Sequence, residues 1–172
     1  MEMMQKSPSN AFQSSAPVTH AVLDAGQYLT LRLGSEEYAI DILRVQEIRS
    51  YEEPTRMVNA PSFIKGVINL RGVIVPIVDL RLKLNIDKVA YDDFTVVIVL
   101  IVRGTVVGAV VDAVSDVVTL SSQAIKAAPQ FDAAIDARFI SGLANIDERM
   151  LIVMNMDALL SNAEMGMMAD PV

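Results

Sequence analysis

The sequence predicts a mainly β protein of two similar small barrels with only short helices, and three observations carry that expectation. Short apolar runs alternate with polar, often Gly-containing turns, and no segment has the length of the crossover helix that a parallel sheet demands. The chain also repeats itself. Phe63-Ile64-Lys65-Gly66-Val67-Ile68-Asn69-Leu70 recurs as Phe139-Ile140-Ser141-Gly142-Leu143-Ala144-Asn145-Ile146, each followed by a polar turn, an apolar strand and an Asp, at Asp79 and Asp157. Upstream, Val45-Gln46-Glu47-Ile48 is echoed by Val114-Ser115-Asp116-Val117. The 172 residues suit one domain or two small ones; 52% are hydrophobic but only 5% aromatic, with no Trp, so the core is aliphatic and β-branched, which favours strands.

Taken in order, residues 1 to 26 mix Ser, Pro, Gln, Asn and Met without a helical or strand period and read as a disordered tail. The fold begins near Gln27. Leu29, Leu31 and Leu33 alternate with Thr30 and Arg32, the period of a half-buried strand. Gly34 to Glu37 turns the chain, Tyr38-Ala39-Ile40 returns it, and a short helical turn then leads into a strand at Val45. Ile64–Leu70 and Val73–Val78 bracket Arg71-Gly72 as a hairpin. Pro76 has no amide for a ladder, which places the second strand at an edge or a bulge. Leu80 to Leu84 is a helical turn or a strand end. Strands follow over Thr95 to Val102, Thr105 to Asp112 and Val114 to Leu120; Ser121 opens a short helix, Pro129 to Arg138 is a loop, and strands resume over Phe139 to Ile146 and Met150 to Met156. Asp157 is expected to cap a last helical turn through Leu160, and residues 161 to 172 to fray. The first barrel is assigned to about 27–90 and the second to about 91–160, an arrangement that permits strand exchange between them.

Composition removes several function classes. A net charge of -7 repels polyanions, so nucleic acid is not an expected partner. No Cys and a single His, His20 in the tail, exclude disulfides, thiolate nucleophiles and most zinc sites, so neither cofactor nor metal is expected. The apolar stretch from Val96 to Val111 is cut by Arg103-Gly104 well short of a membrane-spanning helix, and the N-terminus lacks a signal-peptide core.

Catalysis would have to come from Asp41, Glu47, Asp79 and Asp112, and nothing in the sequence makes two of them converge; turn-capping and surface roles are the simpler reading. Gly66 and Gly142 read as sites of tight backbone packing or bulges. Arg71 has two readings, a solvated hairpin tip or a charge held over a groove, and its pairing with Glu47 is one expectation that the structure can test.

The residues Tyr38-Ala39-Ile40-Asp41-Ile42-Leu43-Arg44-Val45-Gln46-Glu47-Ile48-Arg49 and Phe63 through Leu80, together with Val106-Val107-Gly108-Ala109-Val110-Val111-Asp112 and Ser141-Gly142-Leu143, closely resemble the CheW family of chemotaxis coupling proteins over about 27–160. The resemblance implies two SH3-like five-stranded β-barrels in pseudo-twofold arrangement around a shared core, and no enzymatic activity. It implies a cytoplasmic scaffold joining methyl-accepting chemoreceptors to the regulatory domain of the histidine kinase CheA in arrays at the inner membrane, without inserting into it. Carried over by motif, Val45, Glu47, Gly66, Arg71 and Val114 are the receptor-groove positions. Lys126 and Phe131 belong to one kinase-facing surface, and the loop from Tyr51 to Thr55, with Tyr51 and Glu52, to the other. The reading from a different class, a carboxylate-dependent hydrolase, is separated from it by turnover on a substrate panel.

Overall fold

The computed structural model describes residues 25–86, 89–127 and 137–161. Residues 1–24 of the expected tail, Phe131 and the end of the chain beyond Ser161 lie outside the described residues, whereas Ala25 and Gly26, expected in the tail, already belong to the first strand because they pair with Ser121 and Leu120. Among the described residues eleven strands run β1 (Ala25–Leu33), β2 (Glu36–Asp41), β3 (Val45–Ser50), β4 (Ile64–Leu70), β5 (Val73–Asp79), β6 (Val96–Val102), β7 (Thr105–Val111), β8 (Ala113–Ser121), β9 (Ile125–Lys126), β10 (Ile140–Ile146) and β11 (Arg149–Met154). Two single-turn α-helices, Leu80–Lys83 and Met156–Leu159, follow β5 and β11.

The strands form two sheets, ordered β3-β6-β7-β5-β4 and β8-β1-β2-β11-β10-β9. Neither sheet is drawn from one half of the sequence. The β1–β2 hairpin sits with β8 to β11, and the β6–β7 hairpin with β3 to β5, so the two halves exchange hairpins reciprocally. The repeat makes this exchange symmetric: Val45 pairs with Leu100 as Val114 pairs with Leu31, and the parallel pair Ile77–Gly108 is matched by Val153–Ala39. Each sheet closes on itself. Beyond β3 the chain crosses to β4 through the bridge Thr55–Val67, and beyond β8 it turns through Ser122–Ala124 into β9, which pairs with β10.

Burial explains why several strands read as unbroken apolar runs rather than alternating ones. Along β6, Val97 and Val99 point into their own barrel while Ile98, Leu100 and Val102 point outward into a core shared with the other barrel, so both faces are dry. Leu29, Leu31, Leu33, Tyr38 and Ile40 fill that shared core from the opposite side, and Ala39, Leu120, Ala144, Leu151 and Val153 fill the second barrel's interior. The two barrels are thus one folding unit.

Two local expectations are corrected. β5 is an interior strand, between β7 and β4. Pro76 is tolerated because the pairing with β7 begins only at Ile77, while the bulge falls on the facing strand between Ile64 and Gly66. The cap of the last helical turn is Asn155, whose Oδ1 accepts from the Ala158 amide at 3.2 Å. Asn155 is the last extended residue before the turn and hence the one whose side chain reaches back to an orphan amide. The repeat agrees: the Asp79 amide donates to the Phe63 carbonyl and the Asn155 amide to the Phe139 carbonyl, both at 2.8 Å, so Asn155, not Asp157, is the counterpart of Asp79.

Candidate functional site

Arg71 occupies the β4–β5 turn with φ 51°, a left-handed conformation that the tight connection imposes, and Gly72 follows with φ 89°. Its Nη2 reaches back to Glu47 Oε2 at 2.9 Å. Glu47 lies on β3 and Arg71 at the tip of the hairpin ending in β4, so this contact ties the two edge strands of the first barrel near one mouth. Arg49 Nη1 adds a second bond to Glu47 Oε1 at 3.2 Å. The two guanidinium groups, Arg71 foremost, hold the Glu47 carboxyl below the usual carboxylate range. The Arg71 side chain nonetheless remains 67% exposed. It is both a paired residue and an accessible one, a combination that the two sequence readings had set against each other.

The other motif-derived positions do not all converge there. Val45 and Val114 are each half-buried against the shared core, at pseudo-equivalent positions on β3 and β8. Gly66 lies five residues from Arg71, at the opposite end of β4 and roughly 16 Å away at a strand rise of ~3.3 Å per residue. A Cβ on Gly66 would sit 2.1 Å from the Thr55 carbonyl oxygen, and one on Gly142 2.6 Å from that of Lys126. Both glycines therefore let the barrel-closing segment approach the strand, the bulge role expected of them, and Gly66 borders the 51–55 loop rather than Arg71.

That loop and Lys126 are themselves pseudo-equivalent, because Thr55 and Lys126 play the same closing part in the two barrels. Glu52 is exposed, and the loop stands between two clefts of about 200 and 260 Å³ that share Glu53 and Pro54. Tyr51 anchors one end, its ring stacked on Tyr91 with centroids 4.6 Å apart.

The candidate catalytic carboxylates are committed elsewhere. Asp41 accepts from the Leu43 amide at 3.0 Å as a cap. Asp79, fully buried, chelates the Arg81 guanidinium through Nε at 3.0 Å and Nη2 at 2.9 Å. Arg81 Nη1 bonds Asp112 Oδ1 at 2.8 Å, and Asp112 Oδ2 accepts from the Gly34 amide at 2.7 Å, in the β1–β2 turn of the other barrel. Asp79 and Asp112 thus converge on a buried arginine that staples the two barrels. Burial disfavours the charge on Arg81, but the two carboxylates outweigh it and hold the group protonated. Sequence reasoning missed this cluster. Its one legible trace is an Asp-Leu-Arg run at the end of the apolar strand β5, charges where the chain is otherwise most hydrophobic. The seam's other end carries the swapped polarity, Arg44 Nη2 on Asp157 Oδ2 at 2.8 Å.

A second acid–arginine knot was also missed. Arg149 bonds Glu37 through Nε at 3.0 Å and Nη2 at 2.6 Å, and bonds both oxygens of Asp116 at 3.2 Å. Asp116 is the repeat counterpart of Glu47, so each barrel ties its edge strand to its hairpin by an ion pair, from the turn itself at Arg71 and from the first residue of β11 at Arg149, with the arginine bonding two carboxylates in the second barrel and one in the first. Among the described residues no group of three His, Cys, Asp or Glu side chains is placed to hold a metal ion, and no helix is long and apolar enough to cross a membrane.

The family model of the CheW-like domain matches residues 27–164. The chain is 52% identical over 141 residues to the chemotaxis protein CheW of Klebsiella aerogenes, covering 82% of this chain and 85% of that one. It is 31% identical over 143 residues to the CheW of Bacillus subtilis, covering 83% and 92%. A solved structure of the scaffolding protein TtCheW from Thermoanaerobacter tengcongensis superposes with a TM-score of 0.74 at 31% identity, covering 79% of this chain and 92% of that one.

Proposed function

Because this chain belongs to the CheW family of chemotaxis scaffold proteins, we propose that it couples methyl-accepting chemoreceptors to the regulatory domain of the histidine kinase CheA, without chemistry of its own and from the cytoplasmic side of the membrane. The observation that carries the reading is the Arg71–Glu47 pair, a charge pre-positioned at an exposed barrel mouth beside the half-buried Val45. A guanidinium held by one carboxylate keeps further donors for a partner's polar groups, while the half-buried aliphatic side chains of Val45 on β3 and Val114 on β8 suit the apolar face of a helix. Gly66 supports this surface indirectly, through β4. The kinase domain is assigned to the two barrel-closing segments, at Tyr51 and Glu52 on one barrel and at Lys126 on the other, with Phe131 added from the motif alone. Their pseudo-equivalence suits a partner built of similar barrels, which can be gripped on either side.

The test is Arg71→Glu, measured by thermal unfolding of the isolated protein and by titration with receptor signalling tips. The substitution sets two acids side by side at a partly desolvated contact, which lowers receptor affinity tenfold or more, while a surface turn residue changes stability by only about 0.5 kcal/mol. Receptor affinity equal to wild type removes Arg71 from the receptor surface.

A further inference from the structure

The loop from Tyr51 to Thr55 has little of its own to hold it. Its ends are fixed, by the Tyr51 amide on the Thr95 carbonyl at 3.2 Å and by the reciprocal Thr55–Val67 pair at 3.0 and 2.8 Å. Between them no regular structure forms, and clefts open on both sides of Glu53 and Pro54. What lies beneath is the Tyr91 ring, stacked on Tyr51 at an interplanar angle of 25°.

Tyr91 is in turn fixed from below. Its hydroxyl donates to Asp79 Oδ2 at 2.7 Å, the Arg81 guanidinium sits 4.8 Å from its ring centre, and Arg81 Nη1 also donates to the carbonyl of the preceding residue, Ala90. Burial and the bond to Asp79 push the phenol well above its ordinary range, so it stays a donor at every physiological pH. An unbroken series of contacts therefore runs from the loop through Tyr51, Tyr91, Asp79, Arg81 and Asp112 to Gly34 in the opposite barrel.

We infer that Tyr91 is a positioning residue: it transmits the rigidity of the buried inter-barrel staple to the 51–55 loop and presents that loop, already ordered, to the kinase regulatory domain. The inference rests on the kinase-facing assignment made above for this loop, and it adds a residue that the motif did not contain. Pre-ordering matters because a loop that must be immobilised on binding loses affinity to the entropy of ordering. A flat aromatic anchored at its hydroxyl is suited to the task, since stacking fixes a neighbouring ring without closing the clefts around it.

Tyr91 is itself partly exposed, so a direct contact with the partner is the competing explanation, and hydrogen exchange on the full chain without any partner separates the two. Tyr91→Leu, which keeps apolar bulk but not the flat ring, is expected to raise exchange at the Thr55 and Val67 amides at least tenfold while leaving the strand Val96–Val102 protected. Affinity for the CheA regulatory domain should fall at least fivefold, with receptor-tip binding within twofold of wild type. Tyr91→Phe, which keeps the stacked ring but loses its hydroxyl's bond to Asp79, should raise exchange at the same two amides by an intermediate factor of about threefold, and wild-type exchange there would cut the loop off from the staple and overturn the inference. Wild-type exchange at Thr55 and Val67 in Tyr91→Leu overturns the inference, and so does an equal rise throughout Val96–Val102, which would mark a merely structural residue. Glu52→Lys, on the loop's exposed surface, tests the underlying assignment separately. If it leaves kinase-domain affinity unchanged, the docking assignment of the loop fails, whatever the exchange data say of Tyr91.

Discussion

Replacing Arg81 by Met tests the buried staple directly. The side chain is 1% exposed, Asp79 beside it 0% and Asp112 19%, so neither acid is fully rescued by water when the guanidinium is removed. Asp79 would keep only the Arg81 backbone amide at 3.0 Å and the Tyr91 hydroxyl, and would lose both guanidinium bonds. Breaking a buried pair from one side costs about 3–5 kcal/mol, because a desolvated charge is left uncompensated. At about 3 °C per kcal/mol for a chain of this length, the melting temperature should drop by about 9–15 °C. Removing the second charge as well relieves the penalty: Asp79→Asn combined with Arg81→Met is expected to cost at least about 2 kcal/mol less than the sum of the single variants. Urea unfolding monitored by circular dichroism gives all three free energies. A single Arg81→Met loss below about 1 kcal/mol, or strict additivity of the pair, would refute the staple as a buried ion cluster and reduce it to packing.

Two further outcomes follow from the rest of the molecule. Arg149 holds Glu37 and Asp116 below their ordinary values of 4.5 and 3.8, mainly by hydrogen bonds to each carboxylate, so the folded protein binds fewer protons than the unfolded chain in that range. The stability they contribute is present above those values and is lost as pH falls through the depressed ones; the melting-temperature gap between wild type and Arg149→Met should narrow on acidification from pH 7 to about 3, and a gap independent of pH would disprove the linkage. Gly66→Ala and Gly142→Ala both drive a methyl into the closing segment's backbone, but only Gly66 has a left-handed φ, of 146°. Overpacking accounts for about 1–3 kcal/mol in each and backbone strain for about 1–3 kcal/mol more at Gly66, so denaturant unfolding should rank Gly66→Ala as the less stable, and the reverse order would contradict the geometry.

Features that are local and periodic can be read from residue order alone. The hairpins around Arg71-Gly72 and Arg103-Gly104, the bulge glycines and the repeat were legible because turn chemistry and side-chain alternation act between near neighbours. The Glu47–Arg71 pair was legible as an expectation because both residues stood in recognisable motifs. Tertiary structure decided the rest. Which hairpin joins which sheet depends on a core that both barrels share, and an apolar run buried on two faces carries no mark of which face meets its own barrel. The cap at Asn155 was misplaced because the repeat was aligned on matching Asp residues, whereas the backbone geometry selects the last extended residue whatever its charge. The Arg81 staple and the Tyr51–Tyr91 stack stayed hidden for a related reason. Their members come from β3's outgoing loop, the turn after β5, the segment before β6 and the β7–β8 junction, and only the closing of two barrels on each other removes the water that makes such contacts strong.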